Sequence, residues 1–203
     1  MKYFVTGIGT EIGKTIVSCI LTEKLKADYW KPIQAGELDD SDTMKVRKFI
    51  SNKKSHFFEE RYRLENPMSP HAAAKIENIK ISLNDFKLPK TNNNLIVEGA
   101  GGLMVPINHE GHMIADLVKK LNIPTIIVSR NYLGSINHTI LTIKALQHLN
   151  IPIKGIIFNG KENIETQQII KDTTGINILG RIEECNTEIS NKWIIKQCDK
   201  IYL

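Results

Sequence analysis

The stretch Tyr3-Phe4-Val5-Thr6-Gly7-Ile8-Gly9-Thr10-Glu11-Ile12-Gly13-Lys14-Thr15 decides how this chain reads. An apolar run breaks into a glycine loop that ends Gly-Lys-Thr at the head of a helical pattern. Glycines let backbone N–H groups converge on anionic oxygens, and the positive end of the helix faces the same point. Strand, loop and helix together therefore make a polyphosphate cradle. Lys14 is placed to reach the β- and γ-phosphates, and Thr15 to offer its hydroxyl to Mg²⁺. The loop is one residue longer than the common form, because position 8 is Ile and the flanking glycines are Gly7 and Gly9.

Outward from the cradle, Ile16, Val17, Ile20, Leu21 and Leu25 recur at helical spacing. Tyr29-Trp30 is a short strand that delivers Lys31 to a strand end, ahead of a loop over Pro32 to Gly36. Ligands of open parallel sheets gather at the carboxyl ends of strands, so Lys31 and the glycine loop are expected to face one crevice. Ser41 or Asp42 can cap the next helix; alternatively, one carboxylate among Asp39, Asp40 and Asp42 joins Thr15 on a hard cation. These readings stay open on the residues alone.

A second sharp signal is Leu95-Ile96-Val97-Glu98-Gly99-Ala100-Gly101-Gly102. A carboxylate at the end of an apolar strand costs free energy unless it is paired, hydrogen-bonded or wet, which favours a cation site at Glu98. Further on, the pattern predicts a helix over His112 to Leu121, a strand over Pro124 to Ser129 and a helix to Leu149. A strand over Gly155 to Phe158 then presents Asn159, a helix starts at Ile164, and a strand covers Ile178 to Gly180. Ile189, Trp193, Ile194 and Ile201 are placed on a closing amphipathic helix. Alternating strands and helices predict one α/β domain over 1–203, a P-loop NTPase-like fold with a mostly parallel sheet flanked by helices. His71 and His138 read as structural.

The 41% hydrophobic fraction is enough for a sizeable core, and no apolar segment reaches the roughly 18–20 residues of a membrane span. With no secretory leader in view, a cytoplasmic protein without membrane partners is expected. The net charge of +5 comes from 22 lysines and five arginines spread along the chain, which argues against a nucleic-acid footprint. Cys19, Cys185 and Cys198 lack zinc-site spacing and read as reduced thiols.

Thr6-Gly7-x-x-Thr10-Glu11-Ile12-Gly13-Lys14-Thr15, Lys31-Pro32-Ile33-Gln34, Ser69-Pro70-His71, Val97-Glu98-Gly99-Ala100-Gly101-Gly102, Leu133-Gly134-x-Ile136-Asn137-His138 and Asn159 together resemble the dethiobiotin synthetase family. The match covers most of the chain in order. The resemblance implies that ATP and Mg²⁺ drive insertion of CO₂ between the two amines of 7,8-diaminononanoate, through a carbamate and a carbamic-phosphoric anhydride. It assigns Lys14 and Lys31 to catalysis, and Glu11, Ile12, Gly13, Lys14, Thr15, Ile16, Glu98, Gly99, Ala100, Gly101 and Asn159 to ATP. It assigns Thr10, Lys31, Gly134, Ser135, Ile136 and Asn137 to substrate, and Thr15, Asp42 and Glu98 to Mg²⁺. It further implies a homodimer whose substrate sites lie near the interface.

Three positions depart from the family. Gly9 stands for its usual Asp, Ala35 for a hydroxyl-bearing residue, and Arg181-Ile182-Glu183-Glu184 for a segment with an apolar-Pro pair. Two other classes compete. A partitioning or positioning switch ATPase carries an extra lysine early in the loop, and Gly7 to Ile12 contains none. A cobyrinate-type ligase needs a glutamine-hydrolysing domain, for which this chain has neither the length nor a plausible Cys-His nucleophile.

Overall fold

The computed structural model describes residues 1–185 and 187–203. The first apolar run is β1 (Lys2–Gly7), which passes through the glycine loop into α1 (Lys14–Leu25), β2 (Asp28–Trp30) and a short β3 (Ile33–Ala35). Then come α2 (Asp42–Phe49), β4 (Phe57–Phe58), β5 (Tyr62–Leu64) and α3 (Pro70–Ile76). The remainder alternates regularly: β6 (Leu95–Gly102), α4 (Ile114–Leu121), β7 (Thr125–Arg130), α5 (Ser135–His148), β8 (Ile153–Asn159), α6 (Ile164–Thr174), β9 (Ile178–Ile182) and α7 (Asn191–Cys198).

Seven strands pair in parallel in the order β4-β2-β6-β1-β7-β8-β9. The period of two sends neighbours along each strand to opposite faces, and both faces are covered. Tyr3, Val5, Ile96, Ile126 and Ile157 pack with Val17, Ile20, Val46 and Ile194 from α1, α2 and α7. Phe4, Val97, Ile127 and Phe158 pack on the other face with Val118, Ile143 and Ile170 from α4, α5 and α6. From β1 the chain first moves to one side for β2, β4 and β6, then to the other for β7 to β9. The change of direction beside β1 opens a crevice at the carboxyl ends of β1, β2 and β6.

The structure departs from the sequence expectations in a few places. Ile33 to Ala35, expected as loop, pairs in parallel with Tyr62 to Leu64 as a separate two-stranded sheet. The helix expected from His112 begins at Ile114, because the His112 N–H donates to Asn108 Oδ1 and the Met113 N–H to Asp116 Oδ2 at 2.7 Å. The closing helix stops at Cys198, and Ile201 instead forms an antiparallel bridge with Gly180 of β9, with the Tyr202 N–H donating to Leu179 O at 2.7 Å.

Gly180 makes that tail contact possible. Its φ is +145°, and a Cβ there would lie 2.0 Å from Lys200 O. Gly180→Ala is therefore expected to cost about 2 kcal/mol and to lower Tm by several degrees in a thermal melt; an unchanged Tm would show that the tail yields freely.

Glu23 on α1 ties down the turn after α2, accepting from the backbone N–H groups of Ser51 (2.8 Å) and Asn52 (3.1 Å) and from both their side chains. Burial acts to raise its pKa, but these donors outweigh it and hold the carboxyl below its ordinary value. A depressed carboxyl stabilises the fold above its unfolded pKa, and that contribution fades as pH falls through the folded value. Glu23→Ala should cost about 1 kcal/mol at pH 7, a modest figure because solvent screens the site, and almost nothing near pH 3. Urea unfolding at the two pH values measures the difference.

Candidate active site

β1, β2 and β6 bring the two sharp sequence signals together. Gly13 (φ +93°) turns the loop into α1 and places Lys14 and Thr15 in its first turn. Helix α2 is capped by Ser41, whose hydroxyl accepts from Met44 N–H, and this leaves the adjacent Asp42 carboxylate free to turn inward. Of the three aspartates, Asp42 reaches Thr15, Asp39 is exposed, and Asp40 lies 3.8 Å from Lys45.

The Thr15 hydroxyl lies 2.9 Å from Asp42 Oδ1 and 3.0 Å from Glu98 Oε1. It has a single proton to share between two carboxylates. Lys31 Nζ supplies the positive charge, 2.6 Å from Asp42 Oδ2 and 2.9 Å from Glu98 Oε1, and also donates to Gly99 O at 3.1 Å. Lys31 and Glu98 are both buried. Burial alone would lower the lysine's pKa, but Glu98 and Asp42 outweigh it and hold the ammonium above its usual range. For Asp42 burial acts upward, and Lys31 with the Thr15 hydroxyl overcomes it, keeping the carboxyl below its ordinary value.

Lys14 reaches back along the loop and donates to Gly9 O at 2.9 Å. Its pKa falls to about 8, first through burial and then through the nearby Lys31 ammonium. Two buried ammonium groups thus share one crevice with two carboxylates that balance their charge. One hydroxyl and two carboxylates in mutual contact form a hard-oxygen set of the kind Mg²⁺ takes, so the donor chemistry fits that ion.

A cleft of about 900 Å³ opens over these groups, with Thr10, Glu11 and Ile16 at one wall and Ala100 and Gly101 at another. Ile12 is buried beneath the loop, and Asn159, at the end of β8, donates from its amide to Ile12 O at 2.9 Å. Gly99 packs where a Cβ would meet the Phe4 ring at 2.9 Å. Gly134, Ser135, Ile136 and Asn137 do not line this cleft. They form the start of α5, where Ser135 is buried and its hydroxyl accepts from the Tyr132 N–H. His138 bonds the Tyr132 hydroxyl at 2.7 Å. Sequence reasoning missed Tyr29, whose hydroxyl donates to Glu98 Oε2 at 2.9 Å. An aromatic residue on a buried strand carries no sign of a polar duty.

Sheet order, glycine loop and converging lysines define a P-loop nucleoside-triphosphate-binding protein. The family model described as an AAA domain matches residues 1–191. An ATP-dependent dethiobiotin synthetase from Christiangramia forsetii is 56% identical over 183 residues, covering 90% of this chain and 87% of that one. The synthetase of the same name from Cytophaga hutchinsonii is 45% identical over 99% of this chain and 98% of its own length. The chain belongs to the dethiobiotin synthetase family. Among solved structures, the septum site-determining protein MinD of Pyrococcus horikoshii, complexed with Mg-ADP, superposes with a TM-score of 0.56 at 11% identity over 98% of this chain and 95% of that one. A plasmid partition protein from Borrelia burgdorferi gives 0.57 at 14% identity, covering 96% of each chain. These two similarities establish the shared fold alone.

Proposed function

We propose that this chain is a dethiobiotin synthetase that uses ATP and Mg²⁺ to insert CO₂ between the two amines of 7,8-diaminononanoate, closing the ureido ring of dethiobiotin in biotin biosynthesis. The observation that carries the reading is Lys31: a buried ammonium at a strand end, beside the phosphate loop and in contact with both carboxylates of the hard-oxygen set. One amine adds to CO₂ and loses a proton to give a carbamate. A carbamate oxygen attacks the γ-phosphorus of ATP, and ADP leaves. The second amine then attacks the carbonyl of the carbamic-phosphoric anhydride and expels phosphate.

A carbamate anion must approach an anionic γ-phosphate, so positive charge has to be in place beforehand. Lys14 serves the β- and γ-oxygens, and Lys31 serves the carbamate and the transferring phosphoryl group. The loop from Glu11 to Ile16 and the segment from Glu98 to Gly101 bind the triphosphate, and Asn159 is assigned to the base. Thr15, Asp42 and Glu98 would hold Mg²⁺, which would neutralise charge on the phosphate oxygens. Thr10 lies at the substrate end.

We further place Gly134, Ser135, Ile136 and Asn137 in the substrate site of a partner subunit within a homodimer. Their position outside the chain's own cleft and the full exposure of Leu133 beside them support this. Among the described residues no helix is long and apolar enough to cross a membrane. We place the protein in the cytoplasm as a single-domain enzyme that meets small molecules.

The test is phosphate release from Mg-ATP and bicarbonate with and without 7,8-diaminononanoate, with mass analysis for the cyclic urea. Diamine-dependent release with dethiobiotin as product supports the synthetase. Hydrolysis indifferent to the diamine would turn attention to a switch ATPase on the same fold.

A further inference from the structure

Glu98 is fully buried at the end of the apolar run of β6, and its two oxygens have different neighbours. Oε1 faces Thr15 and Lys31. Oε2 points away from the cleft and accepts from the Tyr29 phenol at 2.9 Å. Tyr29 has no solvent exposure, and its backbone is paired with Ile96 two residues before Glu98. Its ring packs at a tilt 6.0 Å from Phe57.

We propose that Tyr29 is a positioning residue for the cation site: by occupying Glu98 Oε2 it sets the plane of the carboxylate and leaves Oε1 as the oxygen presented to the metal beside Thr15 and Asp42. The proposal rests on the reading that Thr15, Asp42 and Glu98 hold Mg²⁺. The phenol donates to Oε2 and so orients the carboxylate while leaving its negative charge for a cation. Without the phenol, Oε2 would be a buried acceptor with no donor. The relief within reach is for the carboxylate to turn further onto Lys31 or Thr15, and a divalent ion would then compete with a tighter ammonium–carboxylate pair. Partners behind metal ligands change metal affinity about 10- to 100-fold when removed.

Mn²⁺ is the probe. Its binding to the protein with a non-hydrolysable ATP analogue is followed by loss of the free-ion electron paramagnetic resonance signal, alongside the Mg²⁺ activation constant. Tyr29→Phe keeps the ring and removes the hydroxyl; it should bind Mn²⁺ about 10-fold more weakly and need correspondingly more Mg²⁺, while KM for the diamine changes less than about two-fold. Phe57→Leu loosens the same packing without touching Glu98 and should leave Mn²⁺ affinity as in the wild type. Unchanged or tighter binding by Tyr29→Phe overturns the proposal, as does equal weakening in both variants, which would mark a packing effect. If Glu98→Gln binds Mn²⁺ like the wild type, the assignment of the metal site itself fails, an outcome distinct from failure at Tyr29.

Discussion

Replacing Lys31 with methionine is expected to slow diamine-dependent phosphate release by about 10²- to 10³-fold while ATP affinity stays within about three-fold of wild type. The asymmetry follows from where Lys31 sits. On the proposed reading Lys14 and the loop amides hold the triphosphate, whereas the Lys31 ammonium pairs with both carboxylates, 2.6 Å from Asp42 and 2.9 Å from Glu98. Its contribution therefore falls on the step in which two anions meet, and a ground-state binding measurement does not see it. The same substitution leaves Asp42 and Glu98 facing each other without a counter-charge, at a cost of about 3 to 5 kcal/mol. Because Mg²⁺ can replace the lost charge, the variant's Tm should rise with Mg²⁺ far more than that of the wild type. Single-turnover phosphate release, calorimetric ATP titration and melts across a Mg²⁺ series check the three parts. Wild-type turnover in the variant would remove Lys31 from the mechanism.

Lys14→Met should do something less intuitive: lose ATP affinity by at least about 100-fold and yet melt at a higher temperature than the wild type. The pKa of Lys14 drops to about 8 through burial and the neighbouring Lys31. At pH 7 the group is protonated whether the chain is folded or not, so the fold bears the whole penalty of burying that charge, on the order of 3 kcal/mol. Methionine fills similar space without the charge, and a gain of this size corresponds to several degrees in Tm for a chain of this length. A fall in Tm with intact nucleotide binding would contradict both halves.

The residues that carried the sequence reading are those whose chemistry conflicts with their surroundings. Glu98 at the end of an apolar strand and Lys14 after a glycine loop announce a ligand because neither belongs in a core on its own account. Strands with both faces buried, such as Thr125 to Val128, were legible as continuous apolar runs for the same reason that they pack centrally. The two-stranded sheet of β3 and β5 was not, because three-residue strands carry too little periodicity and pair with partners nearly thirty residues away. On residue type and spacing alone Asp42 could not be told from Asp39 and Asp40; what sets it apart is its contact with Thr15 and Lys31. Tyr29 was invisible because a buried tyrosine looks like any core aromatic until the oxygen it serves is located.

The tail that crosses Gly180 also covers part of one margin of the sheet. A parallel sheet ordinarily ends in rows of unpaired amide and carbonyl groups that can recruit another chain by strand addition. Here the β9 margin is occupied by Ile201 and Tyr202 running antiparallel, and the opposite margin is β4, only two residues long. The tail interrupts the middle of the β9 margin, and β4 presents only two residues at the other. For the proposed homodimer, the exposed Leu133 and Ile136 at the start of α5 offer a side-chain surface that strand addition at these margins does not.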